Sequence, residues 1–175
     1  MKKIRQIEDK NISLTGFMGS GKSTIGKILA EKLNFLFLDL DTIIELSEGK
    51  KISEIFSEYG EKYFRDAESE VIKKIYFNRN CVFSCGGGVV LKKENMDIIK
   101  SQSIIIYLKI SPQTAYERLK NVNDRPLLSE KNRRITVENL IKKRQALYKG
   151  YADIIIDADS DKPETIAEYI ISRIS

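Results

Sequence analysis

The chain has 175 residues, the usual size of one domain, and a chain of this length buries enough surface to fold without disulfides or metals. It contains two cysteines and no histidine, which excludes Ser-His-Asp hydrolysis, Cys-His nucleophiles and histidine-ligated metal centres. Its net charge of +5 suits a small anionic substrate as well as a nucleic acid. Because the basic residues are scattered and no aromatic-rich binding motif accompanies them, we expect no nucleic-acid partner.

The apolar segments of the chain are short. The longest nearly apolar run, at 103–110, is far shorter than a bilayer span. The charged segment 1–10 is not followed by the apolar stretch of a signal peptide. We therefore expect a cytoplasmic protein with no membrane partner.

Short apolar runs alternate with segments of helical period, a pattern typical of βαβ units and a parallel sheet. Strands are predicted at Asn11–Thr15, Phe35–Leu38, Cys81–Ser84, Ser103–Lys109 and Asp153–Ile156. Amphipathic helices are predicted at Lys22–Leu33 and Thr165–Ile174. The helical segment between the second and third strands, about 41–78, is predicted to cover a substrate. The charged stretch 121–133 is predicted to be a long exposed loop, typical of a mobile lid.

The octapeptide GFMGSGKS at 16–23 lies between the first strand and the first helix and fits the pattern G-x-x-x-x-G-K-[ST]. Backbone N–H groups of such a loop surround phosphates. Lys22 is placed to reach the β- and γ-phosphates, and the Ser23 hydroxyl to bind Mg²⁺. The loop predicts a nucleoside triphosphate ligand, but it does not distinguish a kinase from a switch, a transporter or a motor.

Two carboxylates follow the second strand. Asp39 and Asp41 are two residues apart, so we expect both side chains at the carboxyl edge of the sheet, where ligands bind. One is suited to hold Mg²⁺ through water, and the other to accept a proton from an attacking hydroxyl. Asp41 is also suited to cap the helix that begins beside Thr42.

Arg65 and Glu68 lie one helical turn apart in the segment YFRDAE, at 63–68. The carboxylate can orient the guanidinium for bidentate binding of a substrate carboxylate. The alternative is an exposed ion pair of little energetic value.

Three glycines, at 86–88, follow the third strand, which does not end in the Asp that serves Mg²⁺ in many P-loop proteins. Glycines let a ligand contact backbone N–H groups directly, whereas the alternative is a flexible turn. Arg125 in the charged loop is a candidate to meet the charge that develops in phosphoryl transfer. For Arg125 and Arg144 taken singly, the alternative is a solvated surface position.

Together these motifs resemble the shikimate kinase family of nucleoside monophosphate kinase-like P-loop proteins. The resemblance rests on ordered pieces that extend from the first strand to about Asp153, namely GFMGSGKST, LDLD, YFRDAE, SCGGG, and RPLL followed by KRQALY. It implies one three-layer α/β/α domain, 1–175, built on a five-stranded parallel sheet. It also implies phosphorylation of shikimate to shikimate 3-phosphate in the shikimate pathway, with ATP as co-substrate and Mg²⁺. From the small size of the chain and the lack of an obvious extra interface we expect a monomer.

The resemblance also implies residue roles. For the nucleotide it implies Gly19, Ser20, Gly21, Lys22, Ser23, Thr24, Arg118, Arg125 and Pro163. Within that set Arg118 would stack on adenine, Pro163 would lie in the adenine loop, and Arg125 would reach the phosphates from the lid. For the metal it implies Ser23 and Asp39.

For shikimate the resemblance implies Asp41, Phe56, Phe64, Arg65, Glu68, Gly87, Gly88 and Arg144. Arg65 and Arg144 would clamp the carboxylate, Glu68 would orient Arg65, and the phenylalanines would form aromatic walls. The catalytic residues would be Asp41, as the base, with Lys22 and Arg125.

Cys85 departs from the small or apolar residue usual before the glycines, and it receives no role. Two rival functions stay open at this point. One is another small-molecule kinase of the same fold, such as a gluconate kinase-like enzyme. The other is a nucleotide-dependent switch or a non-catalytic binding module, against which the intact Lys22, Ser23 and Asp41 argue.

Overall fold

A parallel sheet lies at the centre of the computed structural model, which describes residues 10–122, 126–128, 132–159 and 161–174. Within these ranges the sheet has five strands in the order β2-β3-β1-β4-β5. The strands are β1 (Asn11–Thr15), β2 (Leu36–Asp39), β3 (Cys81–Ser84), β4 (Ser103–Lys109) and β5 (Ile154–Asp157). All neighbouring strands pair in parallel, which confirms the predicted sheet.

The same ranges contain seven α-helices. They are α1 (Lys22–Leu33), α2 (Leu40–Glu48), α3 (Ile52–Ile75), α4 (Lys93–Gln102), α5 (Pro112–Leu119), α6 (Arg133–Tyr151) and α7 (Pro163–Ile174). Helix α3 is interrupted at Gly60, whose φ of 81° and ψ of 174° are not helical. Among the described helices, none combines the length and the apolar character needed to cross a bilayer.

The buried core forms two clusters, one on each face of the sheet, because successive strand residues point to opposite faces. Val82 of β3 belongs to a cluster that includes α1 and α7, whereas its neighbour Phe83 belongs to a cluster that includes α2, α3 and α4. Helix α6 contributes Val137 to the first cluster and Tyr148 to the second. This arrangement is the predicted three-layer α/β/α architecture.

Two strands begin one residue later than the sequence predicts. Phe35, predicted as the start of β2, still donates its backbone N–H to Ala30 of α1 at 2.8 Å, so the strand begins at Leu36. Asp153, predicted as the start of β5, uses its carboxylate to accept the N–H of Ile105 at 2.9 Å. A side chain thus takes the place of a strand carbonyl there, and β5 begins at Ile154.

The boundaries around α6 and α7 also differ from the prediction. Arg133, predicted as the end of the exposed loop, is the first residue of α6, and its guanidinium donates to the carbonyls of Leu119, Lys120 and Val122. Leu128 is buried rather than exposed. Other predicted lid residues, 123–125 and 129–131, lie outside the described residues. Helix α7 begins two residues early because its first residue is a proline, which the first helical turn tolerates.

Candidate active site

The phosphate-binding loop curls around the amino end of α1, as its sequence predicts. Gly16, Gly19 and Gly21 have positive φ angles, and Gly21 is the N-cap of the helix. Lys22 Nζ donates to the carbonyls of Gly16 and Phe17, both at 2.9 Å, so the ammonium lies within the loop. The loop therefore offers N–H groups, a helix N-terminus and a cation to an anion.

Ser23 links the start of α1 to the ends of β2 and β3. Its hydroxyl donates to Oδ2 of Asp39 at 2.6 Å and lies 3.2 Å from the hydroxyl of Ser84. Oδ1 of the same aspartate accepts the backbone N–H groups of Asp41 and Thr42, at 3.1 and 3.4 Å. Asp39 is therefore the N-cap of α2, and the alternative prediction of Asp41 as the cap is wrong. Asp39 has extended dihedrals, whereas Asp41 already lies in the first turn.

The oxygen ligands around Ser23 suit Mg²⁺. In the described ranges no group of three or more His, Cys, Asp or Glu side chains could hold a metal by itself. Mg²⁺ usually keeps several waters and takes one or two protein oxygens together with substrate phosphates. The Ser23 hydroxyl and the Asp39 carboxylate beside the phosphate-binding loop fit that requirement.

A cavity next to the phosphate-binding loop gathers most of the predicted substrate residues. It is lined by Asp41, Phe56, Phe64, Arg65, Gly87, Gly88 and Arg144, and also by Met18, Ile52, Gly86, Pro126 and Leu127, to which the sequence analysis assigns no substrate contact. We call this space the acceptor cavity. The rings of Phe56 and Phe64 have centroids 4.9 Å apart, and the guanidinium of Arg65 lies 5.0 Å from the Phe64 centroid. The cavity thus combines aromatic walls with cationic groups.

Arg65 and Glu68 form a buried ion pair. Nη1 of Arg65 donates to Oε2 of Glu68 at 2.8 Å, and Glu61 approaches the same guanidinium at 3.4 Å. Glu68 is fully buried and Arg65 is 8% exposed, so the interpretation as an exposed surface pair is wrong. Burial raises the pKa of the Glu68 carboxyl, and the charge of Arg65 counteracts part of that rise. The guanidinium is held in a defined orientation beside the cavity.

Two predicted substrate residues carry buried polar atoms without hydrogen bonds. Within the described ranges, the buried side-chain atoms of this kind are Oε1 of Glu68, Nδ2 of Asn95 and Nε of Arg144. Buried polar atoms in folded proteins are nearly always paired with protein or water. The unpaired atoms of Glu68 and Arg144 therefore point to a polar ligand or ordered water at this site.

Residues 86–88, which we call the glycine loop, lie close to the side chains of the acceptor cavity. A Cβ atom at Gly86 would lie 2.9 Å from Oε1 of Glu68 and 3.0 Å from Oδ1 of Asp41. Gly87 offers its carbonyl to Nη1 of Arg144 at 3.2 Å. None of the three has a positive φ, so at Gly86 and Gly88 close contact with neighbouring side chains, rather than an unusual turn, disfavours a larger residue, whereas a Cβ at Gly87 would make only ordinary contacts.

The acceptor cavity meets a second cavity over the phosphate-binding loop, which we call the phosphate cavity. The phosphate cavity is lined by Gly19, Gly21, Lys22, Ser23, Thr24, Asp39, Ser84 and Cys85. Both cavities are also lined by Met18, Asp41 and Gly87. A phosphate in one would therefore face a group bound in the other, with Asp41 at their junction.

The remaining predicted nucleotide residues lie around the phosphate-binding loop or outside the described part. The guanidinium of Arg118, an exposed residue, donates to the carbonyls of Gly19, Ala158 and Asp159, at 2.9, 3.1 and 3.3 Å. Ser20 is fully buried within the loop. Pro163 begins α7 and is not in the preceding loop, and Arg125 lies outside the described residues.

Ser84, Glu61 and Tyr148 are site residues that the sequence analysis missed. Ser84 is the last residue of β3, the position at which many P-loop proteins carry an Asp that serves Mg²⁺. Its hydroxyl is also an oxygen ligand, and considering serine there would have identified it. Glu61 lies four residues before Arg65, a spacing that predicts an ion pair. Tyr148 donates to the carbonyl of Gly87, and no local sequence signal indicates that contact.

The comparisons with known proteins agree with this geometry. The family model described as shikimate kinase matches residues 18–175. Shikimate kinases of Thermodesulfovibrio yellowstonii and Persephonella marina are each 47% identical, over 94% of this chain and over 94% and 99% of their own lengths. The solved structure of shikimate kinase from Acinetobacter baumannii in complex with shikimate has a TM-score of 0.93 at 32% identity, covering 97% of this chain and 95% of that one. The chain belongs to the shikimate kinase family.

Proposed function

We propose that the protein transfers the γ-phosphoryl group of ATP to a hydroxyl of shikimate, giving shikimate 3-phosphate and ADP. The observation that carries this proposal is the junction of the phosphate and acceptor cavities at Met18, Asp41 and Gly87. Donor and acceptor bound there would meet with Asp41 between them. Membership of the shikimate kinase family supports the identity of the acceptor.

The acceptor cavity has the chemistry that a small polyol carboxylate requires. Arg65 and Arg144 supply guanidinium groups that can bind a carboxylate through paired hydrogen bonds. Glu68 orients Arg65, and the unpaired Nε of Arg144 provides a further donor. Phe56 and Phe64 would enclose the ring. Substrate contacts by the backbone of the glycine loop belong to the same proposal.

Asp41 is proposed as the group that binds the attacking hydroxyl and accepts its proton. Lys22 would hold the β- and γ-phosphates, and Ser23 and Asp39 would hold Mg²⁺ with the phosphate oxygens. When bound, Mg²⁺ neutralises phosphate charge. Arg118 is proposed to lie against the adenine. Arg125, outside the described residues, is proposed from the family resemblance alone to meet the transferring phosphoryl group.

Most of the rate enhancement in this scheme comes from holding ATP and the acceptor in the correct relative position. Holding two reactants in line replaces a bimolecular encounter, and this can contribute about 7–11 kcal/mol. The cationic and N–H groups of the loop then stabilise the charge on the transferring group. The segment 41–78, which contains α2 and α3, would serve mainly to bind the acceptor. We also propose that the protein acts as a monomer in the cytoplasm.

The proposal is tested by measuring ADP release from ATP and Mg²⁺ with shikimate, gluconate, nucleoside monophosphates or no acceptor. Release that depends on shikimate alone is the expected result. Release with no acceptor would favour a hydrolase or switch, and release with gluconate would favour the related sugar-acid kinase. The Lys22→Met variant is the control for contaminating kinases, because it removes the phosphate-binding ammonium from this chain.

A further inference from the structure

The carbonyl oxygen of Gly87 accepts hydrogen bonds from two side chains of α6. The hydroxyl of Tyr148 donates to it, and Nη1 of Arg144 donates to it at 3.2 Å. Residues four apart on a helix lie on the same face, so the two donors approach the carbonyl together. The proposed substrate residue Arg144 therefore shares its backbone acceptor with a tyrosine that has no role so far.

Tyr148 is rigidly held. Its side chain is almost completely buried, and its ring stacks on Tyr107 of β4 with centroids 5.0 Å apart and planes 18° apart. Burial raises the pKa of the Tyr148 phenol, so the hydroxyl stays protonated and able to donate even well above neutral pH. Strand β4 pairs with β1, which leads directly into the phosphate-binding loop. The hydroxyl is thus fixed relative to the sheet.

Gly87 lies at the junction of the acceptor cavity and the phosphate cavity. A Cβ atom on it would be 3.5 Å from the backbone N of Met18 and 3.6 Å from the carbonyl of Gly16, so it packs against the phosphate-binding loop. It also lines both cavities. A displacement of Gly87 would therefore change the separation of donor and acceptor.

We infer that Tyr148 is a positioning residue for phosphoryl transfer, because its hydroxyl fixes the carbonyl of Gly87. Without that hydroxyl, the side-chain donor to Gly87 that remains among the described residues is Arg144. The guanidinium would then be drawn toward the carbonyl and away from the acceptor. This inference rests on the proposed function, since it concerns the geometry of the same transfer.

The test uses Tyr148→Phe, which removes the hydroxyl and keeps the stacked ring. Tyr107→Phe is the matched control, since it removes a hydroxyl from the partner ring and leaves the bond to Gly87 intact. For Tyr148→Phe we expect kcat about tenfold lower and the KM for shikimate severalfold higher, with the KM for ATP within about twofold of wild type. Tyr107→Phe should keep all three constants within about twofold of wild type.

Thermal unfolding and shikimate titration by calorimetry, carried out on the same folded variants, separate positioning from stability. Weaker shikimate binding by folded Tyr148→Phe supports the inference. Kinetic constants equal to those of Tyr107→Phe, or a loss of activity explained by a smaller folded fraction, would overturn it. Failure of the wild-type chain to release ADP with shikimate would instead overturn the proposed function.

Discussion

A Cβ atom at Gly88 would lie 2.1 Å from Nη2 of Arg65, so the guanidinium packs directly against the backbone of the glycine loop. Real Cβ contacts are never that short, and a side chain at position 88 must displace the guanidinium. Since Glu68 holds the other side of Arg65, the arginine has a single defined place between a carboxylate and a glycine.

Gly88→Ala is therefore expected to raise the KM for shikimate about tenfold or more, while the KM for ATP stays within about twofold. Gly150→Ala is the matched control, because no atom beyond its chain neighbours and the adjacent helix backbone lies within 4 Å of a Cβ at that position. Alanine there should stabilise α6 by up to about 1 kcal/mol without changing the kinetics. Identical steady-state kinetics for the two variants would contradict the packing argument.

Asp41→Asn is expected to lower kcat by about 10²–10⁴-fold, because it removes the proposed proton acceptor while keeping the size of the side chain. The measurement is turnover at saturating ATP and shikimate, with the melting temperature as a control for folding. Near-normal turnover at saturation would show that another group accepts the proton.

Arg65→Ala is expected to lower the free energy of unfolding by about 3–5 kcal/mol, because it leaves the buried carboxylate of Glu68 without its cation. The double variant Arg65→Ala/Glu68→Ala should recover much of that loss, although its shikimate binding stays weak. Urea unfolding at neutral pH measures the free energy of unfolding of the single and the double variant. Lys73→Ala, which breaks the exposed pair with Glu70, is the control and should unfold like wild type. A single variant as stable as wild type would contradict the prediction.

Cys85 should make stability fall at alkaline pH. Burial raises the pKa of its thiol from 9.0 to about 12, although a hydrogen bond with Tyr76 at 3.2 Å opposes the rise. Above pH 9 the unfolded chain therefore loses the thiol proton while the folded chain keeps it, and the free energy of unfolding decreases as pH rises toward 12. Between pH 8 and 10, wild type should lose about 1.4 kcal/mol more than Cys85→Ala. Urea unfolding at both pH values checks this, and equal losses in the two proteins would contradict it.

Strong local patterns predicted much of the fold. Helix α1 has the bounds that its periodicity indicates, and strand β4 has the bounds predicted from its nearly apolar run. The start of β2 was missed because it depends on a contact across the turn, from Phe35 to Ala30. Local propensity also could not assign the helix cap, since Asp39 and Asp41 are chemically equal candidates. The choice between them follows from where β2 ends.

The sequence predicts which residues form the site better than it predicts their burial and their contacts. The spacing of Arg65 and Glu68 indicates a pair, but its burial depends on the packing of α3 against the glycine loop. The contact of Tyr148 with Gly87 joins residues 61 positions apart, and no periodicity encodes it. Long-range hydrogen bonds of this kind appear only when the chain is folded.

The buried side chains on the two faces of the sheet form separate clusters, and the amino-acid sequence of each cluster can change separately. Val82 packs among the side chains that support α1 and the phosphate-binding loop, whereas Phe83, the next residue, packs among those that support α2 and α3. Substitutions around Phe83 can change the shape of the acceptor cavity while the residues around Val82 remain unchanged. An engineer seeking a kinase for a different hydroxy acid should therefore concentrate the library on the Phe83 side, together with Met18, which packs on the Val82 side and lines the acceptor cavity.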